Sequence, residues 1–181
     1  MNPGSKPQAN KGNIYLVGFM GAGKTTVGRL LARKLDRPFF DLDALIEASA
    51  KLSIRDIFRT KGESHFRALE SQILVEVAES EQAVVATGGG VVMSRGNRHV
   101  MQTTGFTVYL NWPCAVLIAR IMNDSRRPLV VNMAKSTRAS QLEELLGQRK
   151  PYYEMSACRI DCRPGMSAGD IVNRILAVVL A

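Results

Sequence analysis

The residues of this chain best equipped for chemistry sit in short clusters. The first is GFMGAGKT, Gly18 to Thr25, which places three glycines, a lysine and a hydroxyl within eight positions. Gly18, four residues, then Gly23-Lys24-Thr25 is the Walker A spacing. Each residue type has a task there. Glycines let the backbone turn so that N–H groups face inward, a concave nest for anionic oxygens. A helix starting near Lys24 adds the positive end of its dipole. The Lys24 ammonium can reach β- and γ-phosphates, and the Thr25 hydroxyl can ligate Mg²⁺. The apolar run NIYLV precedes the loop as a buried strand. Thr25 to Leu35 follows as an amphipathic helix with Val27, Leu30, Leu31 and Leu35 on one face. Strand, loop and helix together make a nucleotide-phosphate site.

Four further clusters stand out. Asp41 and Asp43 flank Leu42 after the short strand Phe39-Phe40. On an extended backbone both carboxylates project to one side, where one serves a metal and the other an acceptor hydroxyl; a helix N-cap with a first-turn acid is the competing account. Arg67 and Glu70, three apart on a helix, share a face, as a surface ion pair also would. Thr87-Gly88-Gly89-Gly90 closes a strand, and three consecutive glycines are costly to order without a steric need. Arg126-Arg127-Pro128 lies in a polar stretch of weak periodicity, and Arg149 near the end of a long helix.

These clusters must be positioned by the elements between them. The pattern alternates: strands at Asn13–Val17, Phe39-Phe40, Ala83–Ala86, Phe106–Leu110 and Cys158–Asp161. Helices fill the intervals, with interruptions near Leu52-Ser53 and Lys61-Gly62, and Ala168–Leu180 closes the chain. Such alternation predicts an α/β fold, a parallel sheet covered by helices on both faces, with ligands at the carboxyl ends of the strands.

Composition narrows the partners. The chain has 181 residues, the size of one domain; 24 Lys and Arg against 16 Asp and Glu give +8. The basic residues are dispersed and aromatics are only 6%, so anionic small molecules fit better than nucleic acid. No run is long enough to span a membrane. Residues 1–12, polar and rich in Pro, Gly and Asn, read as a disordered tail without a signal-peptide core, and a cytoplasmic location is expected. Cys114, Cys158 and Cys162 form no disulfide framework.

The clusters, in order, resemble the shikimate kinase family over almost the whole length, Asn13 to Leu180. The matching pieces are GFMGAGKTTVGRLLA, FFDLDALIE, IRDIF with KGESHFRALE, VVATGGGVV, RRPL and RKPYYE. The resemblance implies a three-layer P-loop kinase fold of the nucleoside-monophosphate-kinase type, with five parallel strands and a mobile lid at about 123–136. It implies transfer of the γ-phosphoryl of ATP to the 3-hydroxyl of shikimate, a step toward aromatic amino acids. By that resemblance Gly21, Ala22, Gly23, Lys24, Thr25 and Thr26 hold nucleotide phosphate, and Arg120 lies near the adenine. Arg127 is the lid arginine, and Thr25 and Asp41 serve Mg²⁺. Asp43 takes shikimate hydroxyls and is the candidate base, Gly88, Gly89 and Gly90 contact the ring, and Arg67 and Arg149 clamp its carboxylate. A monomer is expected. A gluconate-type kinase shares the P-loop without needing the Arg67, Gly88–Gly90 and Arg149 set. A nucleotide-switch module is the alternative from another class.

Overall fold

The computed structural model describes residues 12–122 and 137–181. Its centre is a five-stranded, wholly parallel sheet in the order β2-β3-β1-β4-β5. The strands are β1 (Asn13–Val17), β2 (Phe39–Asp41), β3 (Val84–Ala86), β4 (Gly105–Asn111) and β5 (Cys158–Asp161). A parallel central strand is covered on both faces, so it reads as a continuous apolar run rather than an alternating one. NIYLV obeys this: Ile14, Tyr15, Leu16 and Val17 are all fully buried. Burial of each such aliphatic side chain contributes about 1.5–3 kcal/mol.

The helices are α1 (Lys24–Leu35), α2 (Leu42–Ala50), α3 (Ile54–Ala78), α4 (Arg95–Thr104), α5 (Cys114–Met122), α6 (Arg138–Tyr153) and α7 (Ala168–Val179), with a 3₁₀ turn at Val91–Met93. The chain passes from β1 outward to β2, then returns through β3 and travels the other way to β4 and β5. Right-handed crossovers therefore place α1 on one face and the connections α2–α6 on the other. Consistent with this, α1 packs against α7, α3 against α4 and α5 against α6. The direction of travel reverses around β1, so the crevice for a ligand opens at the carboxyl end of that strand, where GFMGAGKT begins.

Element ends follow local chemistry. Ser53 caps α3 by accepting the Asp56 N–H, and Gly62, at φ 83°, breaks α3 where an interruption was expected. Ser167 and Asp170 form a reciprocal capping box on α7. At β2 the helix-cap account of the aspartate pair holds. Asp43 does not continue an extended strand alongside Asp41; it lies in the first turn of α2. The cause is Asp41, whose Oδ1 accepts the N–H groups of Asp43 (3.2 Å) and Ala44 (3.5 Å) and so starts the helix one residue after the strand ends. Among the described residues no helix is long and apolar enough to cross a membrane.

Candidate active site

The loop between β1 and α1 is shaped by its glycines. Gly21 and Gly23 have φ of 80° and 85°, where side-chain-bearing residues are strained. Lys24 is 9% exposed. Its Nζ donates to the carbonyls of Gly18 (2.7 Å) and Phe19 (3.0 Å), which folds the ammonium across the mouth of the loop. Thr25 and Thr26 follow in the first turn of α1, on its exposed side. Arg120, near the end of α5, lies against the same loop and donates to the Gly21 carbonyl at 3.1 Å.

The Thr25 hydroxyl donates to Asp41 Oδ2 at 2.7 Å. A hydroxyl and a carboxylate thus meet beside the phosphate nest, the hard oxygen set that Mg²⁺ takes when phosphates and waters complete its shell. The residues fit that ion. Asp41 also caps α2, so the two accounts of this aspartate, metal-serving and helix-capping, are compatible: each carboxylate oxygen has its own task.

Across the crevice the other predicted residues converge on the glycine triplet. Gly88 is buried; a methyl there would lie 2.5 Å from Glu70 Oε1 and 3.1 Å from Asp43 Oδ1. A methyl at Gly89 would lie 3.6 Å from Arg149 Nη1 and 3.4 Å from the Met20 N of the phosphate loop. One at Gly90 would overlap the Arg67 guanidinium. Four charged side chains from α2, α3 and α6, two arginines and two carboxylates, thus close on three consecutive backbone units. A methyl at Gly88 or Gly90 would displace Glu70 or Arg67, whereas one at Gly89 would make ordinary contacts.

Glu70 and Tyr153 are the groups the sequence reading underweighted. Glu70 is 1% exposed and accepts from Arg67 Nη1 at 2.8 Å. Arg67 also meets Glu63, through Nη2 at 3.1 Å. The second Glu70 oxygen, Oε1, is buried without a hydrogen-bond partner among the described residues. Burial pushes the Glu70 carboxyl above the usual range; Arg67 draws it down, and the neighbouring Asp43 charge pushes it up again. Burial opposes the Arg67 charge, but Glu70 and Glu63 outweigh it and hold its pKa up. Arg149, 7% exposed, lies over the Phe19 ring at 5.9 Å. Tyr153, one turn further along α6, donates to the Gly89 carbonyl and stacks on Tyr109 with centroids 5.2 Å apart. Burial pushes the Tyr153 phenol well up, so it stays a donor. The sequence signals were the i, i+3 spacing in FRALE and the aromatics of RKPYYE. Neither tells that the acid is buried or that the phenol reaches a carbonyl 64 residues away.

Arg127 and the expected lid, 123–136, lie outside the described residues, as does the tail up to residue 11. The three cysteines are free thiols, and burial pushes the Cys162 thiol up to about 11.

A parallel sheet with a loop of Walker spacing at its switch point, and an arginine-bearing cluster beside that loop, define a P-loop phosphotransferase. Comparison with known proteins gives the family. The shikimate kinase family model matches residues 20–180. The chain is 42% identical over 164 residues to a shikimate kinase of Persephonella marina, covering 91% of this chain and 96% of that one. With a shikimate kinase of Dechloromonas aromatica the identity is 43%, covering 91% and 88%. The fold superposes with TM-score 0.88 on the structure of shikimate kinase from Acinetobacter baumannii in complex with shikimate, at 39% identity over 98% and 97% of the two chains. A gluconokinase from Sinorhizobium meliloti shares the fold alone, with TM-score 0.57 and 21% identity over 93% and 91% of the chains. The chain belongs to the shikimate kinase family, and the expected α/β kinase fold is borne out.

Proposed function

We propose that this protein transfers the γ-phosphoryl group of ATP to the 3-hydroxyl of shikimate, giving shikimate 3-phosphate and ADP. The observation that supports the reading most is the convergence on Gly88–Gly90: two arginines, an aspartate and a buried glutamate around three glycines, the middle one beside the Met20 N of the phosphate loop. Shikimate carries one carboxylate and three hydroxyls. Arg67 and Arg149 offer planar, bidentate donors to the carboxylate. Asp43 and the backbone groups of the triplet suit the hydroxyls.

In this reading the nest N–H groups and Lys24 hold the β- and γ-phosphates of ATP. Thr25 and Asp41 would hold Mg²⁺, which supplies charge neutralisation across the phosphates when bound. The shikimate hydroxyl oxygen bonds to the γ-phosphorus as the bond to the β–γ bridging oxygen breaks and ADP leaves. In a loose transition state the hydroxyl proton departs late, so Asp43 mainly orients the hydroxyl and then receives that proton. Arg127 takes the role of a closing arginine on the sequence argument alone, from the segment 123–136 acting as lid. The enzyme is taken to work as a cytoplasmic monomer, as one domain from residue 13 onward.

The test is ADP release from MgATP in the presence of shikimate, gluconate, AMP or no acceptor. Stimulation by shikimate alone is expected. Protein that binds ATP yet ignores shikimate overturns the substrate, and stimulation by gluconate in its place selects the other kinase type.

A further inference from the structure

The phosphate loop is held from outside by a group with no place in the Walker pattern. Trp112, the only tryptophan of the chain, follows β4 and is 4% exposed. Its indole Nε1–H donates to the Ala22 carbonyl at 3.0 Å. Its ring carries the Arg120 guanidinium, with Cζ 3.8 Å from the ring centroid. Arg120 in turn donates to the Gly21 carbonyl at 3.1 Å. Two adjacent loop carbonyls, Gly21 and Ala22, are therefore tied outward by one indole–guanidinium stack. A peptide's N–H points opposite to its C=O, so tying the Ala22 carbonyl outward turns the Gly23 N–H toward the nest, while the Ala22 N–H closes the turn on the Phe19 carbonyl at 3.2 Å. The Lys24 ammonium donates to the earlier carbonyls, Gly18 and Phe19.

We infer that Trp112 is a positioning residue for nucleotide binding: it fixes the Gly21–Gly23 peptides by its N–H and presents Arg120 by its face. It touches no reacting atom. The inference rests on the reading that this loop holds ATP. The two contributions are separable. Trp112→Phe keeps an aromatic face under Arg120 and removes the tie to Ala22; Trp112→Leu removes both.

Isothermal titration of the full chain with MgADP, and separately with shikimate, tests this, alongside thermal melts. Loss of one buried hydrogen bond is expected to weaken MgADP binding about five-fold in Trp112→Phe. Further loss of the cation–π stack is expected to bring Trp112→Leu to about thirty-fold. Shikimate affinity is expected to stay within about two-fold in both, a split that a general packing defect would not produce. The wild-type indole emission is expected to shift on adding MgADP. Equal MgADP affinity in wild type and Trp112→Leu overturns the inference. So does a parallel fall in MgADP affinity, shikimate affinity and melting temperature in both variants, which would make Trp112 a core residue only. Wild-type protein that fails to bind MgADP overturns the ATP reading itself, and the inference with it.

Discussion

The two halves of the crevice are built on opposite principles. The phosphate half is one contiguous loop with little net charge of its own. In the proposed reading its anion affinity comes from backbone N–H groups, a helix end and a single lysine; its carbonyls at Gly18, Phe19, Gly21 and Ala22 are all hydrogen-bonded. The half proposed to take the acceptor is assembled from β3's glycine tail, α2, α3 and α6, and carries full charges: Arg67 and Arg149 against Glu63, Glu70 and Asp43. Its balance is incomplete, since Glu70 keeps one buried oxygen without a partner among the described residues. Phosphate is common to every kinase of this fold, so a stiff backbone nest suffices. The acceptor distinguishes one kinase from another, and charged side chains placed over glycines can be re-aimed by single substitutions. The halves meet where Phe19 underlies Arg149 and Gly89 packs near Met20 N.

If the halves are independent, substitutions should separate cleanly. The largest effect is expected from Lys24→Met, which removes the one charged side chain of the loop Gly18–Thr25 itself. Turnover should fall by at least about a thousand-fold, while calorimetric shikimate binding persists. Loss of shikimate binding in the same variant would show that the halves are coupled through the Phe19–Arg149 contact.

Next come the arginines. Arg67→Ala or Arg149→Ala should raise the KM for shikimate about ten- to a hundred-fold, the value of one charged hydrogen-bonding pair. The KM for MgATP should move by less than about two-fold. An unchanged shikimate KM in Arg67→Ala would remove that residue from the carboxylate clamp. A smaller change is expected from Gly90→Ala. The new methyl meets the Arg67 guanidinium, the far end of a flexible side chain, so the arginine swings rather than the backbone. Steady-state kinetics should give about a three- to ten-fold higher shikimate KM with little loss of stability. A large drop in melting temperature would mean instead that the triplet is glycine for packing alone.

The same contrast explains what could be read from the sequence. The phosphate half was legible because its function is local: Gly18, Gly23, Lys24 and Thr25 are neighbours, and strand-loop-helix periodicity on either side fixes their geometry. The five strands were legible for a related reason, since a buried parallel strand is a short apolar run bounded by turn residues. Even the break at Gly62 was visible, because glycine in a helical pattern is a weak point. The acceptor half was legible only as separate fragments. Nothing in FRALE tells that Glu70 is buried against Gly88 while Glu63, two turns earlier, is exposed. For Asp43 the sequence left an extended strand end and a capped helix start both open; the capping power of the Asp41 carboxylate decides for the helix. Trp112 and Tyr153 act through hydrogen bonds to carbonyls 90 and 64 residues away, and spacing cannot predict such contacts.

The smallest expected effect probes the imbalance of the acceptor half through pH. Burial, and then the Asp43 charge, push the Glu70 carboxyl above its unfolded value despite Arg67. The native state thus holds this proton more tightly than the unfolded chain. The associated stability is fully present below the unfolded carboxylate pKa and is lost as pH rises through the raised native value. Asp161 and Asp170 act in the opposite direction: hydrogen bonds from Asn111 and Arg159, and from Ser167, lower their pKa values, and their contribution is lost on acidification. Wild-type stability against pH therefore mixes both signs, and the Glu70 part is isolated by difference. Glu70→Gln keeps the shape and one hydrogen-bond acceptor for Arg67 but cannot titrate. Urea midpoints of the two proteins, measured from mildly acidic to neutral pH, should show wild type losing ground to Glu70→Gln as pH rises. A difference that is flat with pH would mean that Glu70 is ionised as readily in the fold as outside it. Arg67 and Arg149 would then fully balance the acids, and the acceptor half would be no less satisfied than the phosphate loop.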